Sequence, residues 1–150
     1  MKKNLCLALF GLLTMLNISA YGEVIGVVDF DKVVDNYSKV KTVSDEISDK
    51  YSEIQRYSLD KEREYKKLST PIDRKNFEEA TARELAKKQD AYLKLKEKKE
   101  AEIDLAIKNA IKQVAMQNKI DTILEKSVIF FGGVDVTDKV IKTLNTSGIK

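Results

Sequence analysis

The chain has 150 residues, of which 27 are basic and 24 acidic, and its formal net charge is +3. It has no histidine and no tryptophan, and Cys6 is its only cysteine. This composition excludes an imidazole-based switch and a disulfide framework, and so small a charge does not call for a nucleic acid partner.

Residues 1–22 have the pattern of a secretory signal peptide. A basic start at residues 2–3 precedes an apolar run at residues 5–15, and the small residues Ala20 and Gly22 follow in the arrangement of a cleavage site. The apolar run is shorter than the about 20 residues that span a bilayer. We therefore expect export and a mature chain that begins at Glu23. Cleavage two residues earlier is one alternative, and an uncleaved anchor is another.

Cleavage would change the charge and the redox chemistry of the chain. Removing Lys2 and Lys3 from the 27 basic residues leaves 25, against 24 acidic ones, so the mature chain is nearly neutral. It would also contain no cysteine, because Cys6 lies in the removed segment. An exported chain without disulfides must be stabilised by packing or by oligomerisation.

The mature chain opens with a predicted strand. Residues 23–30 are rich in β-branched side chains and apolar on both alternating faces, which is typical of a strand that is covered on both sides. Asp29 or Asp31 is suited to cap a helix that follows.

Two long helices are predicted next. Glycine is absent between Val27 and Phe131, and Pro71 is the only proline. Since glycine and proline end helices, we expect one helix over about 31–68 and a second over about 71–118, joined by a turn near 69–72. Thr70 is placed as the N-cap of the second helix and Pro71 as its first residue.

The first helix carries a spacing of alternating threes and fours, which indicates a coiled-coil seam. The seam would consist of Tyr37, Val40, Ser44, Ile47, Tyr51, Ile54, Ser58, Lys61, Tyr65 and Leu68. Ser44, Ser58 and Lys61 would be polar gaps that weaken the pairing. Tyr57 lies outside this frame.

The C-terminal part predicts a second small group of elements. Residues 120–124 and 127–131 read as two strands of a tight β-hairpin around Glu125 and Lys126. Asp135-Val-Thr137 would then cap a short last helix.

These elements predict a mostly α fold with a small β part, in which a long antiparallel helical hairpin projects from a β-containing body. The body would comprise residues 23–36 and 101–150, and the hairpin residues 37–100. Residues 101–116 are so apolar that another subunit should cover part of them, so that Ile107→Asp or Ile129→Asp should break an oligomer. We expect the oligomer contacts at Ile25, Val27, Ile103, Ile107, Ile111, Val114, Val128, Ile129 and Phe130.

The chain resembles the Skp/OmpH-like periplasmic chaperones over its whole length. The resemblance lies in the order of the elements, in the strand Ile25-Gly-Val-Val-Asp-Phe30, and above all in Ile123-Leu-Glu-Lys-Ser-Val-Ile-Phe-Phe-Gly-Gly-Val-Asp-Val-Thr137. It implies a periplasmic homotrimer whose hairpins surround a cavity and hold unfolded outer-membrane proteins without ATP. The family's best-known member is markedly basic, and this mature chain is not.

A protein of that kind needs dispersed, weakly apolar contact residues. We expect client contacts on the hairpin at Tyr57, Tyr65, Leu68, Ile72, Phe77 and Tyr92. Packing within the hairpin is the alternative role for each, and Tyr57 is favoured for client contact because it lies outside the seam.

The remaining features leave other functions open. A stretch of lysines at positions 87, 88, 94, 96, 98 and 99 could contact lipopolysaccharide or a membrane surface, or could be an ordinary solvated face. A structural coiled coil that tethers a folded envelope partner is a further alternative. We expect no enzyme, metal or cofactor, since nucleophile, phosphate-loop and zinc-ligand motifs are absent from the sequence.

Overall fold

A computed structural model describes residues 22–146. The signal peptide predicted for residues 1–22 lies outside the described residues, except for Gly22. The elements are β1 (Ile25–Val28), α1 (Phe30–Asn36), α2 (Ser38–Tyr65), α3 (Pro71–Asn118), β2 (Thr122–Glu125), a 3-10 turn (Lys126–Val128), β3 (Val134–Asp135) and α4 (Thr137–Thr146). The predicted fold class, mostly α with a small β part, is confirmed.

The turn between α2 and α3 forms as the sequence predicts. The Thr70 hydroxyl accepts a hydrogen bond from the Asp73 N–H at 3.2 Å, and Pro71 is the first residue of α3. The Arg74 guanidinium donates to the Leu68 carbonyl at 3.0 Å, which gives this carbonyl a hydrogen-bond partner just after the end of α2. At 48 residues, α3 is about 70 Å long.

The helix predicted over about 31–68 is instead two helices. Tyr37 separates α1 from α2 with φ −87° and ψ 108°, an extended conformation. Its side chain is 5% exposed and belongs to the core. The break thus falls at a residue whose ring is buried in the core.

The three strands form one parallel sheet in the order β2-β1-β3. Val27 lies opposite Leu124 on one side and Asp135 on the other. Parallel neighbours need long crossover connections, and the whole helical hairpin is the crossover between β1 and β2.

The β-hairpin predicted for residues 120–131 is therefore wrong. Glu125-Lys126 lacks the glycine or asparagine that a tight hairpin turn favours, and the chain continues into the 3-10 turn. Residues 129–131 lie outside the sheet, and the second partner of β1 comes later, at Val134–Asp135.

The core lies where both ends of the chain meet the C-terminal part of α3. Its buried members are Val28, Val33, Tyr37, Ala106, Ile107, Ala110, Val114, Ile120, Val136, Val140 and Leu144. Farther along the hairpin, Val43 and Ile54 are the buried hydrophobic residues of α2. No helix within residues 22–146 is long and apolar enough to cross a membrane.

Candidate binding surfaces

The seam between α2 and α3 differs from the predicted one between residues 43 and 58. The side of α2 that faces α3 carries buried or half-buried Val40, Val43, Ile47, Lys50, Ile54, Tyr57, Lys61 and Tyr65. Ser44, Tyr51 and Ser58 are exposed. The two frames share positions 40, 47, 54 and 61, and at the alternate positions between them the observed frame lies one residue earlier. Both frames alternate threes and fours, and the one that buries Val43 and Tyr57 removes more apolar surface from water.

Most of the predicted client-contact residues pack between the two helices. The rings of Tyr65 and Phe77 lie 6.3 Å apart between centroids, and those of Tyr92 and Tyr51 lie 5.9 Å apart. Leu68 is half-buried at the turn. Only Ile72, at 61% exposure, is largely open to solvent.

Tyr57 is part of the seam, so the prediction that it lies outside the frame is wrong. Its ring is half-buried, with the Lys61 ammonium 5.6 Å and the Lys88 ammonium 5.1 Å from the ring centroid. Cation–π contacts of this kind stabilise by about 0.5–1 kcal/mol at accessible sites. Tyr57 therefore helps to join α2 to α3.

A set of apolar side chains on the hairpin is more than half exposed. They are Tyr51 at 52%, Leu59 at 55%, Ile72 at 61% and Leu93 at 60%. They lie on α2, at the start of α3 and midway along α3. Leu59 was not among the residues predicted for client contact. Its position outside both seam frames indicates an apolar side chain that does not pack between the helices.

Every lysine of the basic stretch has a carboxylate partner. Four pair within α3, with Glu84, Asp90, Glu100 and Glu102, at distances of 2.7 to 4.0 Å. Lys88 and Lys99 instead reach across to Glu53 at 3.1 Å and Glu46 at 2.7 Å on α2. The stretch is thus charge-balanced, and two of its lysines hold the hairpin together.

The carboxyl of Glu53 shows the electrostatic effect of this pairing. Hydrogen bonds from Lys50 and Lys88 lower its pKa from the ordinary value, because both ammonium groups stabilise the charged form. Correspondingly, the hydrogen bond to Glu46 raises the pKa of Lys99.

The Asp-x-Thr sequence before the last helix ties three segments together. Asp135 Oδ1 accepts from the Thr137 N–H at 3.0 Å and from its hydroxyl at 2.6 Å, and Oδ2 accepts from Lys126 Nζ at 2.8 Å. Thr137 Oγ1 in turn accepts from the Asp29 N–H at 3.0 Å. These bonds hold the pKa of Asp135 well below its ordinary value. The motif is therefore a structural junction of the body.

An apolar patch lies on the body beside the sheet. Val128 is 71% exposed, and the side chains of Phe130 and Phe131 are 105% and 94% exposed, in effect fully solvated. Ile25 and Leu124 are about two-fifths exposed, at 41% and 36%. We call Val128, Phe130 and Phe131 the apolar flap. Two adjacent, wholly exposed phenylalanines are unusual for a surface that stays in water.

The residues predicted for the oligomer contact divide into three groups. Val27, Ile107 and Val114 are at most 5% exposed and are covered by their own chain, so they cannot contact another subunit as predicted. Ile103, Ile111 and Ile129 are half-buried, whereas Ile25, Val128 and Phe130 are open. Ile107 and Val114 were misassigned because the sequence does not reveal that α4 packs on α3. Val27 was misassigned because the sequence does not reveal that β1 lies between two other strands.

An apolar cleft of about 360 Å³ lies at the root of the hairpin. Phe30 and Val34 of α1, Val43 and Ile47 of α2, and Ile103 of α3 line it. Within residues 22–146, no group of three or more His, Cys, Asp or Glu side chains is arranged to hold a metal ion.

Comparison with known proteins assigns the chain to a family. A search of curated sequences finds no match. Among solved structures, a proposed OmpH-like outer membrane chaperone from Caulobacter crescentus CB15 is similar, at 13% identity over 84% of this chain and 86% of that one, with a TM-score of 0.39. The family model described as outer membrane protein (OmpH-like) matches residues 24–144. The chain belongs to the OmpH-like family.

Proposed function

We propose that the protein is a periplasmic holdase chaperone, which binds unfolded outer-membrane proteins and prevents their aggregation without ATP. The observation that carries the proposal is the surface of the hairpin, where Tyr51, Leu59, Ile72 and Leu93 are more than half exposed at dispersed positions. Membership in the OmpH-like family supports the same reading.

Dispersed apolar groups suit a client that has no fixed shape. Each half-exposed side chain offers only about 1 kcal/mol on burial, so no single contact holds the client. Several contacts made at once on connected arms raise the overall affinity through effective concentration. The charged residues between them keep the empty hairpin soluble.

The proposal includes an assembly of several copies through the body. The apolar flap, together with Ile25 and Leu124, presents the exposed hydrophobic surface that a partner subunit would cover. Joining copies at the body leaves the hairpins free to surround a shared space. We propose a homotrimer, as the resemblance to Skp-like chaperones implies.

The test is dilution of a urea-unfolded porin into buffer with and without the exported protein, followed by light scattering. The wild type should suppress scattering, and a variant with Leu59→Ser, Ile72→Ser and Leu93→Ser should suppress it less. The matched control replaces the exposed residues Ser44 and Ser58 by alanine, and this variant should suppress light scattering as well as the wild type does.

Native mass spectrometry of the same mixtures gives the stoichiometry. We expect three copies with one porin. A wild-type protein that ignores unfolded porin and captures a folded envelope protein instead would overturn the proposal in favour of a tether.

A further inference from the structure

The first turn of α2 lacks a cap from its own segment. Its N-cap residue is Tyr37, whose side chain makes no capping hydrogen bond. The first N–H groups of a helix have no partner within the helix and need one from elsewhere. Here the chain also breaks between α1 and α2, so both helix ends at the joint need partners.

Asn145, near the end of α4, supplies these partners from 107 residues away. Its Oδ1 accepts from the Ser38 N–H at 3.0 Å and from the Ser38 hydroxyl at 2.9 Å. Its Nδ2 donates to the Asn36 carbonyl at 2.9 Å. One amide therefore binds the last residue of α1 and the first residue of α2.

The amide is held by a rigid support. The preceding residue, Leu144, is 6% exposed, and Val140, one turn earlier, is fully buried in the core. α4 packs against both α1 and α3. A side chain mounted on such a helix can fix the direction of a neighbouring segment, whereas one on a loop could not.

The joint also borders the apolar cleft. Phe30 and Val34 lie before the break and Val43 and Ile47 lie after it, and all four line the cleft. A change in the angle between α1 and α2 would therefore change the width of the cleft and the position of α2 against Ile103 of α3.

We propose that Asn145 is a positioning residue, which clamps the α1–α2 joint and so fixes the direction in which the hairpin leaves the body. This role goes beyond the proposed chaperone function and does not depend on it. Asn145 acts through three hydrogen bonds across the joint. In this role it does not itself contact a client.

Hydrogen–deuterium exchange of the full chain, read by mass spectrometry, tests the clamp without any client. Asn145→Ala should raise exchange in peptides that cover residues 38–47 by about 5- to 30-fold, as expected for a lost helix cap. Exchange in β1 and in the α3 segment 103–114 should stay at the wild-type level.

Two variants make the result specific. Thr146→Ala is the matched control, since among residues 22–146 the Thr146 hydroxyl donates to carbonyls within α4, chiefly that of Lys142 at 2.7 Å. Asn145→Asp keeps the acceptor for Ser38 but loses the donor to the Asn36 carbonyl, so it should restore only part of the protection of residues 38–47. Unchanged exchange in Asn145→Ala, an equal effect of Thr146→Ala, or a uniform rise over the whole body would overturn the clamp.

Discussion

The hydroxyl of Thr137 accepts a hydrogen bond from the backbone N–H of Asp29 at 3.0 Å, across 108 positions of sequence. Asp29 caps α1 through its own side chain, which accepts from the Lys32 N–H at 2.9 Å. Thr137 begins α4 and is only 2% exposed. A single buried hydroxyl thus connects the start of the first helix to the start of the last.

Thr137→Ala should lower the free energy of unfolding by about 1–3 kcal/mol, because it leaves the Asp29 N–H without its partner in a partly buried position. Urea unfolding followed by circular dichroism measures the loss. Thr137→Ser keeps the hydroxyl and should lose much less. Equal losses in the two variants would assign the effect to the methyl group.

Asp135 should make stability depend on pH in the acid range. Because its pKa is lowered in the folded state, the unfolded state binds more protons between the folded pKa and about 3.9. The stabilisation is therefore complete well above pH 4 and is lost as the pH falls below it. At pH 7, Asp135→Asn should cost about 1–2 kcal/mol, a figure reduced for the partial exposure of the Lys126 pair.

The difference in unfolding free energy between wild type and Asp135→Asn, measured from pH 7 down to pH 2, should shrink toward acid. Asp45→Asn, at an exposed position of α2, serves as the control for the loss of a surface carboxylate. A difference that grows toward acid would contradict the assigned role of Asp135.

Gly132 and Gly133 form a matched pair for a packing test. Both have positive φ, 93° and 85°, so alanine is strained at either position by about 1–2 kcal/mol. At Gly133 a Cβ would also approach the Val27 Cγ1 to 2.7 Å, whereas at Gly132 it would meet open space. Thermal unfolding should show that Gly133→Ala costs about 1–3 kcal/mol more than Gly132→Ala. Equal melting temperatures would mean that the segment moves away freely.

The apolar flap allows assembly to be separated from folding. Phe130→Ser with Phe131→Ser should convert the proposed oligomer to monomer in native mass spectrometry. The fold of the single chain should be retained, because both rings are exposed in it. Ile107→Ala should instead destabilise the fold by about 2–5 kcal/mol, since this side chain is fully buried. An intact oligomer in the double variant would place the interface elsewhere.

The elements governed by local chemistry were predictable from the sequence. Thr70 and Pro71 define the start of α3 through capping and a fixed φ, and the lack of glycine and proline gives the helix its length. Such signals act within a few residues and need no knowledge of the fold.

The elements governed by distant contacts were not predictable. The break at Tyr37 depends on burial of its ring and on Asn145, and the pairing of β1 with Val134–Asp135 depends on contacts more than 100 residues apart. The seam frame was missed because Val43 and Ser44 suit alternating threes and fours equally, and only packing against α3 distinguishes them.

β1 lies at the centre of the sheet, and both of its neighbouring strands come from the C-terminal part of the chain. The sheet therefore cannot form without that part. Both neighbours of β1 come from Thr122 or later, so this strand is synthesised long before either partner. α2 and α3 can pair locally and early, whereas the sheet has to await the final segment. A chain truncated before Thr122 would thus carry a hairpin without a sheet. Only a chain that extends through Asp135 can provide β1 with both of its neighbours, so a shorter copy would leave at least one edge of this strand unpaired.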